Sequence, residues 1–174
     1  FPVVTYGSER LRELISGVRD DNFPVQVRHG SPLPTDLFRC VFDSGIDATE
    51  GGPVSYCLPY SRVPLGKAVK AWEDACRLLA ARPEPVHMES FGGCMLGQLC
   101  PPSLLVALSI LECIFFREQG LISVSLSYAQ QTNSEQDLEA LAALRVLAKE
   151  WLHDVDYHIV MYTFMGVFPK STAG

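Results

Sequence analysis

Short runs of β-branched and apolar residues alternate with longer segments of helical periodicity along the whole chain. Strands alternating with helices are typical of βαβ units, which form a parallel sheet. The pattern predicts strands at residues 2–5, 24–28, 47–50, 86–89, 122–127 and 158–163. It predicts helices at residues 9–19, 35–44, 65–81, 103–119 and 134–153, with Ser134 and Asp137 as a capping box for the last.

Polar residues fall at or just after the C-terminal ends of these strands, namely Arg28, Glu50, Glu89, Tyr128 and Thr163. Barrel enzymes build their active sites at that end, whereas an open doubly wound sheet often has a glycine fingerprint, which is absent here. The α/β class is therefore predicted to be a (β/α)8 TIM barrel. A full barrel needs about 250 residues, so residues 1–174 are predicted to be one incomplete domain of about six β/α units. A first residue that is not Met fits a fragment.

Composition is that of an ordinary globular domain, with 48% hydrophobic and 20% charged residues. The net charge of −6 without a basic cluster argues against nucleic-acid binding. Residues 104–116 are apolar, but Ser109 and Glu112 interrupt them and the stretch is too short to cross a bilayer. Six cysteines form no Cys-x-x-Cys pair, and no leader is visible, which favours reduced thiols in a cytoplasmic protein.

The first motif of chemical interest is Phe-Pro-Val-Gln-Val-Arg-His-Gly at residues 23–30. Alternating valines predict a strand, and Arg28 and His29 follow at its end. The planar guanidinium of arginine can donate two parallel hydrogen bonds to a carboxylate. Taken alone, the motif fits equally well a loop arginine that pairs with a surface acid.

The second motif begins with Glu50, Gly51 and Gly52 and continues to residue 60. A carboxylate at a strand end could hold a substrate ammonium group or accept its proton. Tyr56 and Tyr60 could donate to a substrate carboxylate while their rings line the pocket. The alternative is a capped turn with two packed tyrosines, which is the better interpretation of either tyrosine alone.

Three further segments give weaker signals. Glu89 is followed by Ser-Phe-Gly-Gly, which is common in βα loops, and residues 165–169 could form an apolar wall. Asp156 and His158 partly match the Asp-x-His-x-x-Gly motif of cobalamin modules, but Met161 stands where glycine is required. We therefore predict no metal ligand there.

Together these motifs resemble the large (E) subunit of glutamate mutase, also called methylaspartate mutase. The resemblance runs nearly end to end, and the Arg-His-Gly and Glu-Gly-Gly…Ser-Tyr-x-x-Pro-Tyr spacings are specific. It implies an adenosylcobalamin-dependent isomerase that interconverts L-glutamate and threo-3-methylaspartate by a radical mechanism. It also implies a small cobalamin-binding partner subunit and a homodimer of large subunits.

The resemblance assigns roles to individual positions. Arg28 and His29 match residues that hold a substrate carboxylate, and Glu50 matches the catalytic acid that meets the substrate amino group. Tyr56 and Tyr60 match substrate-binding tyrosines. The cofactor positions are Pro59, Phe168 and Thr5.

Some expected features are changed or missing. Thr5 and Tyr6 replace an expected Asn-His pair, Pro53 interrupts a run of three glycines, and further substrate arginines are not in the chain. The polypeptide alone is therefore expected not to turn over. A diverged amino-acid-binding relative without catalysis, or with another specificity, remains the alternative. A cobalamin-independent lyase would need a catalytic lysine at a strand end or a metal cluster, which the sequence does not offer.

Overall fold

A computed structural model of the protein describes residues 1–20, 22–59, 61–92 and 99–163. The helices in those residues are α1 (Pro2–Ile15), α2 (Thr35–Ser44), α3 (Leu65–Ala80), α4 (Pro102–Glu118) and α5 (Ser134–Trp151). The strands are β1 (Gln26–Val27), β2 (Ala48–Gly51), β3 (His87–Ser90), β4 (Ser123–Ala129) and β5 (Asp156–Tyr162). None of these helices is long and apolar enough to cross a membrane.

The five strands form one parallel sheet in the order β1-β2-β3-β4-β5. Each of the helices α2 to α5 connects one strand to the next, which confirms the predicted α/β class and five of the six predicted strands. A doubly wound sheet reverses its strand order at a switch point. The described sheet has no reversal, and its order is consistent with part of a (β/α) barrel.

The predicted strand at residues 2–5 is wrong, because this segment is the first turn of α1. Valines at positions 3 and 4 suggested a strand, but a strand needs a neighbour with which to share hydrogen bonds. Here the bonds close locally: the backbone N–H groups of Val4 and Thr5 donate to the Phe1 carbonyl at 3.1 and 3.0 Å. Pro2 favours a helix start because its φ is already helical.

The last predicted helix is confirmed, but its cap is different. Asn133, and not Ser134, is the N-cap residue, and its side chain accepts from the backbone N–H groups of Glu135 and Gln136. Asp137 accepts instead from the Tyr128 hydroxyl and the Gln131 backbone at 3.1 and 2.9 Å. Tyr128 is therefore a core residue facing α5, although its position at the end of β4 suggested the site.

One face of the sheet packs against the helices and forms the core. Met88, Val124 and Leu126 on this face have no exposed surface, and Trp72 of α3 and Phe116 of α4 are equally buried. Burial of a large apolar side chain stabilises a fold by about 1.5–3 kcal/mol. These contacts hold the strands in register and fix where their C-terminal ends lie.

The opposite face of the sheet is polar, since side chains along a strand alternate between faces. The imidazole nitrogens of His87 lie 2.8 and 2.9 Å from the hydroxyl oxygens of Ser123 and Ser125. The His87 ring also stacks on His158, with 4.8 Å between ring centroids. At the C-terminal edge this polar face continues into Arg28 and Glu50.

Candidate active site

Arg28 and Glu50 meet at the C-terminal edge of the sheet. Val27, the last residue of β1, pairs with Thr49 of β2, which places the residues that follow them side by side. Arg28 Nε donates to Glu50 Oε2 at 2.6 Å. The Glu50 side chain is 2% exposed and that of Arg28 is 55% exposed. The structure thus brings together the two motifs that the sequence separates by 22 residues.

Tyr56 binds the other oxygen of the same carboxyl group. The turn after β2 returns the buried Tyr56 to the strand end, where its hydroxyl donates to Glu50 Oε1. Gly51 permits this return: its φ is +128°, and a Cβ there would lie 2.6–2.7 Å from the rings of Trp72 and Tyr56. Burial raises the pKa of Glu50, while hydrogen bonds from Tyr56 and the charge of Arg28 oppose the rise.

His29 lies in an aromatic cluster beside Tyr56. Its ring centroid is 5.0 Å from that of Tyr56 and 5.7 Å from that of Phe38, and it stacks on Trp72 at 5.8 Å. Burial lowers the pKa of His29 to about 4, opposed only by the backbone of Glu50, so the ring is neutral at pH 7.

The hydrogen bonds of His29 define its tautomer. Nδ1 accepts from the Ser31 backbone N–H at 3.1 Å, which places the proton of the neutral ring on Nε2. Nε2 is buried and has no hydrogen-bond partner of acceptable geometry among the described residues. With Nδ1 occupied, the neutral ring can act only as a donor, from Nε2.

Two aromatic rings support the guanidinium of Arg28. Its central carbon lies 5.9 Å from the ring centroid of Phe91 and 5.1 Å from that of Tyr162. The Tyr162 hydroxyl is buried and has no partner within the described part of the chain. Sequence reasoning chose Thr163 at the end of β5 and missed Tyr162. Strand alternation could have found it, because residues 158 and 162 share a face.

Glu89 adds a second acid to the site. It is 7% exposed and pairs with Glu50 across β2 and β3. Burial, and then the charge of Glu50, raise the pKa of Glu89 to about 7, against opposing contributions from Arg28 and Gln26. The weak sequence signal at Glu89 therefore belongs to the same site.

Four predicted positions remain, Tyr60, Phe168, Pro59 and Thr5. Tyr60 and Phe168 lie outside the described residues. Pro59 is half-buried at the end of the turn that carries Tyr56. Thr5 is exposed in α1 and its hydroxyl donates to the Phe1 carbonyl at 3.0 Å, although the ring of Phe1 itself lies 6.3 Å from that of His29. No group of three or more potential metal ligands occurs in residues 1–20, 22–59, 61–92 and 99–163.

Comparison with known proteins gives a consistent result. The family model described as Methylaspartate mutase E chain (MutE) matches residues 1–174. The glutamate mutase epsilon subunit of Haloarcula marismortui is 38% identical over 178 residues, covering 99% of this chain and 36% of the relative. The glutamate mutase epsilon subunit of Desulfitobacterium hafniense is 36% identical over 182 residues, covering 99% of this chain and 37% of the relative.

The chain thus spans little more than a third of the length of these curated relatives. The similarity nevertheless includes every element of the sheet and the whole Arg28, Glu50 and Tyr56 group. The chain belongs to the methylaspartate mutase E chain family.

Proposed function

We propose that the chain is part of the catalytic subunit of an adenosylcobalamin-dependent isomerase that interconverts L-glutamate and threo-3-methylaspartate. The observation that carries the proposal is the Glu50 carboxyl group, held between Arg28 and Tyr56 at the C-terminal edge of a parallel sheet. Membership of the family and the names of the relatives support it.

The proposed architecture is a closed eight-stranded barrel, of which residues 1–174 form part of one domain. Within the described residues, β1 pairs only with β2 and β5 pairs only with β4, so both edges of the sheet are open. Asp156 and His158 on the polar face of β5 are exposed. Further strands on these edges would enclose the polar face, as a barrel does.

The described residues suit an amino dicarboxylate. Arg28 uses Nε to bind Glu50, which leaves the Nη1 and Nη2 donors for a substrate carboxylate as far as the described residues go. His29 would donate to a carboxylate from Nε2 as a neutral imidazole. Glu50 would accept from the substrate ammonium group, with Tyr56 holding its second oxygen in place. Tyr60 is proposed as a further donor, on the resemblance alone.

The residues near Pro59 fit the apolar face of a large planar cofactor. Leu58 is 57% exposed and Pro59 is half-buried, so the end of the turn that carries Tyr56 presents an apolar surface. Adenosylcobalamin, when bound, would supply the radical chemistry of the rearrangement. This chain would bind and orient the amino acid and exclude water from it. Phe168 and Thr5 are proposed as additional cofactor contacts, although the Thr5 hydroxyl already donates within α1.

A small cobalamin-binding subunit is the proposed partner, within a cytoplasmic assembly built on a homodimer of large subunits. These statements rest on the family and on the term epsilon subunit in the names of the relatives, which implies at least one other subunit.

Calorimetric titration with L-glutamate tests the binding part of this proposal in the full-length protein assembled with its small subunit. We expect wild-type protein to bind L-glutamate and Arg28→Lys to bind it about tenfold more weakly, because lysine cannot form the bidentate contact. Arg117→Lys is the matched control, since Arg117 pairs with Asp154 on the surface. Equal affinity in wild-type and Arg28→Lys protein would contradict the assignment of Arg28.

A further inference from the structure

Glu112 is a buried acid in the middle of the apolar helix α4. It is 2% exposed and lies between residues of the hydrophobic core. Its Oε1 accepts from the Ser55 backbone N–H at 2.9 Å, and its Oε2 accepts from the Ser55 hydroxyl at 3.1 Å. Oε2 also accepts from the Phe91 backbone N–H at 3.3 Å. One carboxyl group therefore binds the loop after β2 and the residue that follows β3.

Gly52 leaves space for this carboxyl group. A Cβ on residue 52 would lie 2.0 Å from Cδ and Oε1 of Glu112 and 2.3 Å from Oε2. A real side chain at position 52 would therefore have to displace the acid. The second glycine of the Glu-Gly-Gly motif is explained by a residue 60 positions later in the chain, and not by its own backbone conformation.

The carboxyl group serves backbone donors that would otherwise be buried without a partner. Ser55 has no exposed surface, and an unpaired buried N–H destabilises a fold by about 1–3 kcal/mol. Burial of Glu112 raises its pKa to about 7, and the hydrogen bonds from Ser55 and Phe91 oppose the rise. A leucine would suit the helix better, so the acid is explained by the loops that it binds and not by the stability of α4.

Both loops lead to the site. Ser55 precedes Tyr56, whose hydroxyl binds Glu50. The Phe91 ring lies 4.9 Å from the Tyr56 ring and 5.9 Å from the guanidinium carbon of Arg28. Glu112 thus binds the backbone next to both rings. It binds Phe91 directly, and it binds Ser55, which precedes Tyr56.

We propose that Glu112 is a positioning residue, which holds the Tyr56 loop and Phe91 against Glu50 and so sets the affinity of the site for an amino dicarboxylate. The identity of the ligand rests on the proposed function above. The positioning of Tyr56 does not, because it follows from the contacts of Glu112 with Ser55 and Phe91.

The test compares Glu112→Gln with Ser109→Ala in the full-length protein assembled with its small subunit. Ser109 lies one turn earlier on α4 and has no exposed surface, and its hydroxyl, the group that the substitution removes, donates to the Ser127 carbonyl and not to Ser55 or Phe91. We expect Glu112→Gln to raise the KM for L-glutamate about tenfold, because the amide NH2 group cannot accept the hydrogen bonds that one of the two carboxyl oxygens accepts. Ser109→Ala lowers the Tm but leaves this KM unchanged.

Ser55→Ala keeps α4 intact and removes a single donor to Glu112. It is expected to raise the KM in the same direction by a smaller factor, so the proposal stays testable if Glu112→Gln does not fold. An unchanged KM in both Glu112→Gln and Ser55→Ala would overturn the proposal. An equal rise in KM in Ser109→Ala would also overturn it, because the effect would then be one of general stability.

A ¹⁹F spectrum of protein with 3-fluorotyrosine at position 56 separates this inference from the proposed function. Glu112→Gln is expected to shift the resonance of residue 56, and Ser109→Ala is not. If that shift occurs in a protein without mutase activity, the positioning role stands and the proposed function fails. If the resonance does not move, the positioning role fails, whatever the activity.

Discussion

Glu50 and Glu89 lie directly opposite each other on β2 and β3, and both side chains are buried. Arg28 follows β1 on the other side of β2, where it is bound to Glu50, and its charge also acts on Glu89. Two adjacent acids with one cation favour a state in which one of them keeps a proton. Both oxygens of Glu50 accept hydrogen bonds, which favours the ionised form of Glu50 over that of Glu89. Glu89, whose pKa is raised to about 7 by burial and by the charge of Glu50, is then the acid that keeps a proton as the pH rises towards neutral.

Glu89→Gln should change how stability depends on pH. The pKa of Glu89 is about 7 in the folded protein and about 4.5 when the residue is free, so the folded state binds the extra proton between these values. Glu89 therefore makes the protein less stable as the pH rises from 4.5 to 7. The variant lacks this loss and should be more stable than wild type by about 1–3 kcal/mol above pH 7, but not below pH 4.5.

Urea unfolding across this pH range measures the difference. Glu112 contributes a similar slope to both proteins, so the comparison isolates Glu89. Glu118→Gln, at a side chain 63% exposed, is the control. Wild-type and Glu89→Gln curves that stay parallel from pH 4.5 to pH 8 would contradict the assignment of the proton to Glu89.

Gly52→Ala should destabilise the protein through contact with Glu112. The new methyl group would meet the carboxyl group at 2.0 Å, so α4 or the loop must move, at a cost of about 1–3 kcal/mol. In Glu112→Ala the obstacle is absent, and adding Gly52→Ala should cost less there than in wild type. Chemical denaturation of the four proteins gives this coupling directly.

Gly66→Ala is the matched glycine control. Gly66 lies in α3, and a methyl group on it would have nothing within 4 Å. Alanine also favours a helix over glycine by about 0.5–1 kcal/mol. The substitution should therefore be neutral or stabilising. For the pair itself, additive changes in the free energy of unfolding for Gly52→Ala and Glu112→Ala would show that the two residues do not compete for space.

The ¹⁵N spectrum of His29 should show a neutral ring protonated on Nε2 at pH 7. This follows from burial, which lowers its pKa to about 4, and from the Ser31 N–H that occupies Nδ1. Titration followed by ¹⁵N shifts measures both the midpoint and the tautomer. A midpoint near 6.5, or a proton on Nδ1, would exclude His29 as a neutral donor to a substrate carboxylate.

Tyr56→Phe should lower kcat/KM for L-glutamate about tenfold, since Glu50 loses a hydrogen bond to its charged form. Without this donor the pKa of Glu50 rises further, so the acid limb of the pH profile should move to higher pH. Tyr128→Phe is the control, because that hydroxyl donates to Asp137 and lies away from the site. Identical pH profiles for Tyr56→Phe and wild type would exclude this role of Tyr56.

The position of the site follows from the sequence, because the C-terminal ends of parallel strands lie at the same edge of a sheet. The polar residues Arg28 and Glu50 were predicted to meet on that basis, and they do. The sequence could not identify Glu112, which reads as an interruption in an apolar helix until the loop 57 residues away is folded against it. Tyr162 differs from Glu112, because strand alternation places it on the polar face, and only its contacts with Arg28 and Phe91, which are distant in the chain, required the structure.

Two local predictions were wrong, the strand at residues 2–5 and the N-cap of α5, because two local structures were compatible with each sequence. The valines near the start favour a strand, but Pro2 and the Phe1 carbonyl complete a helical turn with shorter-range hydrogen bonds. Asn133 and Ser134 are both good N-cap residues, and the structure places Asn133 in the extended conformation that a cap requires.

The most direct test of the central claim is the conversion of ¹³C-labelled L-glutamate by the full-length protein, assembled with its small subunit and supplied with adenosylcobalamin. The wild-type assembly should produce 3-methylaspartate, and Glu50→Ala should lower kcat/KM by about a hundredfold or more, because the substrate ammonium group loses its acceptor. Retention of full activity in Glu50→Ala, or the absence of product in a wild-type assembly that binds L-glutamate, would contradict the account.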